Sequence, residues 1–431
     1  MKFFKITITF LLLMLLISPL HAEDETLLET LDIKLHGFFD SRAGARTLDD
    51  NHEEELSLGE LRLQLDLEKL GYSSTLKLRA DLIYDKVTDD RDLNLDTGYG
   101  PVDLREANIL LTPTYTMDLK LGRQILTWGT GDLLFINDMF PKDWQSFFTG
   151  RDEEYLKAPS DGVLISMFPQ FATIDIAYTP KFDPDRFISG ERISYWNPIM
   201  GSRAGEKAVM EPDTPDEWFN NDELAVRISK NISSYEIALY GYNGFWKSPA
   251  GMTGSGVTST PIFPGLSVYG ASIRGGLGKG LINAEAGYYS SQDDADGDNP
   301  LIPNDETRFL LGYEKEIIRD LSGSVQYYVE YMQDYKKYKQ GVSADPKVKA
   351  RQVATLRITK QAMSQNLTLS FFGYYSPTDK DGYIRPAAKY KLTDEWLVTA
   401  GLNIFDGEKK HTFFGQFKKN SNIYSGIRYS F

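Results

Sequence analysis

Residues Gly59-Glu60-Leu61-Arg62-Leu63-Gln64-Leu65-Asp66-Leu67-Glu68 decide the fold class. Leu61, Leu63, Leu65 and Leu67 share one parity; Glu60, Arg62, Gln64, Asp66 and Glu68 share the other. Side chains alternate between the two faces of a strand, so this stretch has one greasy face and one charged face. The next stretch repeats it, with Leu76, Leu78, Ala80, Leu82 and Tyr84 set against Lys77, Arg79, Asp81 and Asp85. A soluble antiparallel sheet shows such alternation too. The spacing of the stretches along the chain separates the two cases.

Period-2 segments fall near 31–43, 55–69, 73–86, 101–112, 115–126, 161–169, 171–180, 221–231, 233–245, 265–275, 279–291, 305–316, 320–335, 348–361, 365–377, 381–391, 394–406 and 421–431. Most are longer than the ~5–6 residues usual in soluble sheets. Their connections alternate between tight turns and long polar or Gly/Pro-rich stretches, with 378–380 the one short member of the long set. That rhythm describes a transmembrane β-barrel, whose closed sheet leaves no unpaired backbone in lipid. The expected fold is all-β: one closed antiparallel barrel of about 18 strands over 23–431, with short periplasmic turns and long extracellular loops. Residues 413–418 also read as a strand, but an even count with both termini in the periplasm places 407–420 in the last external loop.

Composition agrees. The 431 residues are 41% apolar and 13% aromatic, too rich for a disordered chain. A net charge of −14 argues against nucleic acid as a partner. The absence of cysteine excludes disulfide frameworks, zinc ribbons, iron–sulfur sites and c-type haem attachment, and no cofactor or metal is expected. Lys2 and Lys5, the apolar run 6–17, the Ser18-Pro19 break and Ala22 describe a signal peptide over 1–22, cleaved near Ala22.

In such a barrel, function lies on the inner face and in the loops folded over it. The polar parity places Glu60, Arg62, Asp66, Lys77, Arg79, Asp81, Glu106, Glu285, Glu306, Arg308 and Glu330 inward, a mixed acidic and basic set. Arg351, Arg357, Arg385, Lys389, Lys391 and Arg428 form a basic wall on the last strands, with no inward acid among them. Rings and walls of one sign set solute selectivity. A barrel of this size leaves a watery channel unless loops plug it.

The 127–160 loop carries too many large apolar groups for a solvated external loop. Folding into the barrel or onto its rim is expected, with Asp132, Phe135, Asp138, Trp144, Phe147 and Arg151 as constriction residues. Asp138 before Met139-Phe140-Pro141 predicts a short helix there. The 181–220 loop is a second candidate for gating or solute capture. Asp293-Asp294-Ala295-Asp296-Gly297-Asp298 lacks the calcium-hand spacing and reads as a solvated acidic turn. No Gly-x-Ser-x-Gly elbow, His-Glu-x-x-His or P-loop occurs, and a His36–Asp40 pair reads as a lumen hydrogen bond; the chain is not read as an enzyme.

Gly122-Arg123-Gln124 with Trp128-Gly129, together with the terminal Arg428-Tyr429-Ser430-Phe431, resembles the porin-like barrels of the Gram-negative outer membrane, the group that includes alginate-export barrels and related proteobacterial porin families. The resemblance implies a passive channel in the outer membrane, in contact with lipid and lipopolysaccharide, inserted by the barrel assembly machinery that reads the terminal Phe. Alginate exporters have an arginine-rich lumen for an anionic polymer; the mixed inner face here departs from that. The resulting expectation is a channel for small hydrophilic, charged solutes, narrowed by a loop. The alternatives are a gated transporter for hydrophobic compounds or an anionic polymer, a rim-located enzyme, and a plugged structural or adhesion barrel. No residue pattern speaks to the oligomeric state.

Overall fold

The computed structural model describes residues 31–88, 91–254, 256, 259–342 and 345–431; the signal peptide read at 1–22 lies outside the described residues. In chain order the strands are β1 (Ile33–Arg46), β2 (Leu56–Leu70), β3 (Ser74–Asp85), β4 (Val102–Thr114), β5 (Met117–Gln124), β6 (Ser160–Met167), β7 (Thr173–Thr179), β8 (Tyr195–Asn197), β9 (Ser202–Ala204), β10 (Glu223–Ile232), β11 (Tyr235–Phe245), β12 (Gly251–Thr253), β13 (Thr260–Ile262), β14 (Gly265–Leu277), β15 (Gly280–Ser291), β16 (Glu306–Ile318), β17 (Leu321–Met332), β18 (Ala350–Ala362), β19 (Leu367–Ser376), β20 (Asp381–Lys391), β21 (Trp396–Gly407) and β22 (Asn422–Ser430). Two short hairpins, β8–β9 and β12–β13, stand apart; the other strands form one 18-stranded antiparallel sheet.

Each barrel strand pairs with its predecessor and its successor, and β1 closes the sheet against β22, from Phe38 opposite Ser430 to Arg46 opposite Asn422. The terminal residue extends the seam: Gly37 N donates to Phe431 O at 3.1 Å and Phe431 N to Gly37 O at 3.0 Å. A sheet closed on itself has no edge, which is the condition for backbone in lipid. The outward parity leaves Leu61, Leu78, Ile228, Leu239, Leu311 and Ile427 exposed. A soluble sheet would bury such a face; a lipid-facing one displays it.

The expected strands and the alternation of short and long connections match the barrel. Residues 413–418 are not a nineteenth strand; a 3-10 turn, Gly415–Asn420, occupies that region. The helix expected at Asp138 does not start there. It is α1 (Trp144–Thr149), with Asp143 as its cap, whose Oδ1 accepts Ser146 N at 2.7 Å, and with Gly150 ending it at φ 96°. Both aspartates suit a helix start. The choice falls on Asp143 because residues 144–149 have an aromatic face to bury, whereas Asp138 is engaged by Lys142 Nζ at 3.0 Å and by the Thr127 hydroxyl at 2.8 Å. The acidic turn near 294 closes on itself, Asp294 accepting the N–H groups of Asp298 and Asn299.

Candidate functional site

The segment 125–159, between β5 and β6, crosses the bore and is bonded to wall strands around most of the barrel. Its first part is held by Glu285 of β15, read from sequence as a lumen charge. The carboxylate accepts Gly131 N at 2.7 Å, the Thr130 hydroxyl at 2.9 Å, Asn137 Nδ2 at 2.8 Å, Asn137 N at 3.2 Å and Thr130 N. Gln326 of β17 both donates to Asp132 O and accepts Asp132 N, each at 2.8 Å. The hydroxyls of Tyr289 and Tyr374 donate to Ile136 O and Leu133 O at 2.6 and 2.7 Å. Backbone that leaves a barrel wall must find new partners for its N–H and C=O groups, and inward-facing side chains supply them.

Helix α1 anchors the middle of the segment. Phe147 and Phe148 enter an aromatic cluster with Tyr383, Phe405 and Phe417: Phe147–Tyr383 centroids lie 5.7 Å apart, Phe148–Phe405 5.0 Å and Phe148–Phe417 5.1 Å. Tyr383 and Phe405 stack at 4.5 Å. Such pairs add about 0.5–1.5 kcal/mol each beyond the area they bury. Phe147, expected among the constriction residues, is therefore buried as an anchor. Trp144 is tied to the outer segment 180–222 through Nε1 donating to Asp185 Oδ2 at 3.0 Å, and Phe135 packs edge-on against Trp144.

Both ends of the segment carry charges. Asp132 pairs with Arg357; Asp152 meets Arg42 at 2.7 Å, Lys389 at 2.7 Å and Arg428 at 2.5 Å; Glu153 lies 3.4 Å from Arg357 and 3.6 Å from Arg385; Glu154 lies 3.5 Å from Arg428. The basic wall read from the last strands thus has carboxylate partners, and they come from the crossing segment. Burial opposes ionisation of Asp152, but Arg42, Arg428 and Lys389 outweigh it and hold its carboxyl well below the usual range. The side chains of Glu153 and Glu154 are 46% and 50% exposed, and that of Lys389 42%, so this charge set borders water. Arg351 pairs instead with Asp379 of the short 377–380 loop, and Lys391 lies exposed at the end of β20.

The mixed set on the other strands pairs largely within the wall. Arg62 bridges Glu60 and Asp81; Arg79 bridges Asp66 and Glu106; Lys77 reaches Glu106; Arg308 lies between Glu306 and Glu330. Arg151 of the crossing segment joins this set through Glu60 at 2.5 Å and Asp85 at 3.3 Å. Asp40 is taken by Arg42 and Arg428, so the pair expected between His36 and Asp40 is not formed. Arg123 lies on the outward parity opposite Asp161, covered by the 94–96 backbone, to whose carbonyls it donates at 2.5 and 2.6 Å.

Two cavities flank the crossing segment. One, of about 600 Å³, has Arg79, Arg105, Lys157 and Arg274 on its lining beside Trp128 and Phe135. The buried Arg105 Nη1 has no hydrogen-bond partner among the described residues. The second, of about 300 Å³, is lined by Arg62, Arg91, Arg151, Arg186 and Arg192 with Asp85, Asp103 and Asp143. Tyr155 lines both. Period-2 reading of β4 selected Glu106 and passed over Asp103 and Arg105. The β3–β4 register shifts between Arg79 and Ala80, and this bulge buries Asp103, Arg105, Glu106 and Asn108 together. Tyr155 carried no alternation signal because it stands in a turn, Glu153–Leu156.

By sequence, no family model and no curated protein matches the chain. By structure it is similar to Gram-negative outer-membrane porins. Acinetobacter baumannii OccAB4 aligns over 93% of this chain and 98% of its own at 10% identity with a TM-score of 0.56. Acinetobacter baumannii OccAB3 aligns over 93% and 99% at 10% identity and 0.55. Pseudomonas aeruginosa OccD3 (OpdP) aligns over 93% and 91% at 11% identity and 0.54. The fold is that of an outer-membrane porin barrel.

Proposed function

We propose that this chain is a passive outer-membrane channel for small hydrophilic, charged solutes, narrowed by the segment 125–159. One observation carries the reading: a charged strip in which the carboxylates of Asp132, Asp152, Glu153 and Glu154 on the crossing segment face Arg357, Arg385, Lys389 and Arg428 on the wall, with part of each set in contact with water. Opposed charges across a wet passage make a transverse field that orients and sorts dipolar and ionic solutes. The 600 Å³ cavity supports anions as the favoured sign, because its carboxylates Glu106, Asp132, Asp138, Glu153 and Glu154 are all ion-paired, whereas among the described residues no carboxylate lies within ion-pair distance of Lys157 or Arg274 on the same lining. Cations without a carboxylate partner leave a positive potential on the lining, which draws anions.

The aromatic residues of the segment speak against a hydrophobic carrier: Phe147 and Phe148 are spent on packing against the wall. Reconstitution into planar bilayers tests the proposal. Stable conductance with a reversal potential displaced toward anion permeability in a salt gradient is the expected result. A folded, inserted protein without conductance overturns it.

A further inference from the structure

Tyr155 is held as few loop side chains are. Its ring lies between two guanidiniums, Arg62 Cζ 4.3 Å and Arg105 Cζ 4.8 Å from the ring centroid. Its hydroxyl donates to Asp81 Oδ2 at 2.8 Å and accepts from Gln64 Nε2 at 3.1 Å, and Gln64 in turn donates to Asp81 Oδ1 at 2.9 Å. Four residues of three adjacent wall strands, β2, β3 and β4, thus grip one phenol from the crossing segment. The turn bearing it is fixed at both ends: Asp152 by Arg42, Lys389 and Arg428, and Lys157 by Arg105 Nη2 donating to its carbonyl at 2.8 Å. The ring is 3% exposed. Yet it borders both cavities, with Arg105 on the lining of the larger and Arg62 on the lining of the smaller.

We infer that the Arg62–Tyr155–Arg105 stack is the partition of the solute path: a pinned barrier between the two arginine-lined cavities that sets the size limit along the β2–β4 wall. This rests on the channel reading above. A ring held by two cation–π contacts and two hydrogen bonds is a fixed wall rather than a swinging lid. An aromatic group there costs little in field strength, because Arg62 keeps Glu60 and Asp81 as partners and Arg105 keeps Asp103 at 3.6 Å. Its removal leaves the guanidiniums in place and joins about 300 Å³ to about 600 Å³.

The chain has no cysteine, so a single Tyr155→Cys variant is a clean probe. Three Tyr155 variants and a deletion of 133–148 are compared with the parent in planar bilayers, with heat-modifiable gel mobility reporting a folded barrel. Tyr155→Ala is expected to raise single-channel conductance about twofold and to admit larger neutral sugars in liposome swelling, while Tyr155→Phe, which keeps the ring, stays close to the parent. Tyr155→Cys current is expected to fall on adding a sulfonate-bearing methanethiosulfonate, to which the parent is indifferent. Unchanged conductance and sugar cut-off in Tyr155→Ala, with Tyr155→Cys indifferent to the reagent, overturns the partition when a variant lacking 133–148 shows enlarged conductance. Silence of every folded variant, that deletion included, overturns the channel reading itself.

Discussion

Arg357 of β18 and Asp132 of the crossing segment are clasped by two parallel hydrogen bonds, Nε to Oδ2 at 2.6 Å and Nη2 to Oδ1 at 2.9 Å. They lie 225 residues apart in sequence. The planar guanidinium matches a carboxylate fork, so this contact fixes both position and orientation of the segment. The guanidinium also stacks on Phe372 at 4.7 Å. A wall residue that faces water in sequence terms is, in the folded protein, one half of a lock.

Neutralising the wall shifts selectivity toward cations. In Arg357→Gln/Arg385→Gln/Lys389→Gln the carboxylates of Asp132 and Glu153 lose their wall partners, and Asp152 loses one of its three. The reversal potential in a salt gradient is expected to move toward cation permeability. An unmoved potential removes the transverse-field idea.

Asp152→Asn moves it the other way. Arg42, Lys389 and Arg428 converge on this carboxylate, and all three keep their charge when it is lost. Anion preference is expected to rise, and to fall with added salt because Lys389, 42% exposed, borders water. The same measurement checks it.

Glu285→Ala releases the start of the crossing segment. Its carboxylate takes three backbone N–H groups and two side-chain donors, and no wall residue replaces it. Each buried donor left unsatisfied costs about 1–3 kcal/mol. Noisier single-channel current and faster proteolysis within 125–159 are expected, with the barrel itself intact by circular dichroism.

Phe148→Ala opens a hole where Phe148 meets Tyr383, Phe405 and Phe417. Truncations of this kind cost about 3–5 kcal/mol. The loss is expected as a lowered thermal transition of near-ultraviolet circular dichroism, which reports the packed rings, ahead of the far-ultraviolet signal of the sheet. Coincident, unshifted transitions would show that the cluster does not anchor the segment.

The outer segment 180–222 should loosen as pH rises. Burial pushes Asp183 up to about 7, with Glu223 and Asp161 adding to the effect and Lys247 and the Asp161 N–H opposing it. An unfolded aspartate titrates near 4. Between these values the folded protein holds a proton that the unfolded one releases, so this contribution is complete below about pH 4 and is lost as pH rises through about 7. Protease resistance of the segment is expected to be greater at about pH 5.5 than at about pH 8, and Asp183→Asn should abolish the difference.

Strand positions were legible because alternation is written in adjacent residues: Leu61, Leu76 and Leu78 stand exposed on the outward face whatever the rest of the chain does. The bulge at β4 was not, because two-residue periodicity has no way to mark an inserted residue. That concealed Arg105 while showing Glu106. The basic wall was visible from Arg357, Arg385 and Arg428, but its partners were not, since Asp132, Asp152 and Glu153 stand in a segment without periodicity. Phe147 and Trp144 were rightly out of place for a solvated loop. Only contact with Tyr383 and Asp185 tells an anchor from a lining group.

By itself, then, the chain dictates a closed wall of eighteen strands with a greasy exterior and a charged interior, because each strand's two faces are settled by local covalent geometry. The tertiary structure alone decides where the 125–159 segment falls, which charges it neutralises and that Tyr155 rests between two arginines. Those outcomes depend on groups distant in sequence meeting inside one enclosed space, and burial energy and electrostatic pairing act on distance in space rather than along the chain.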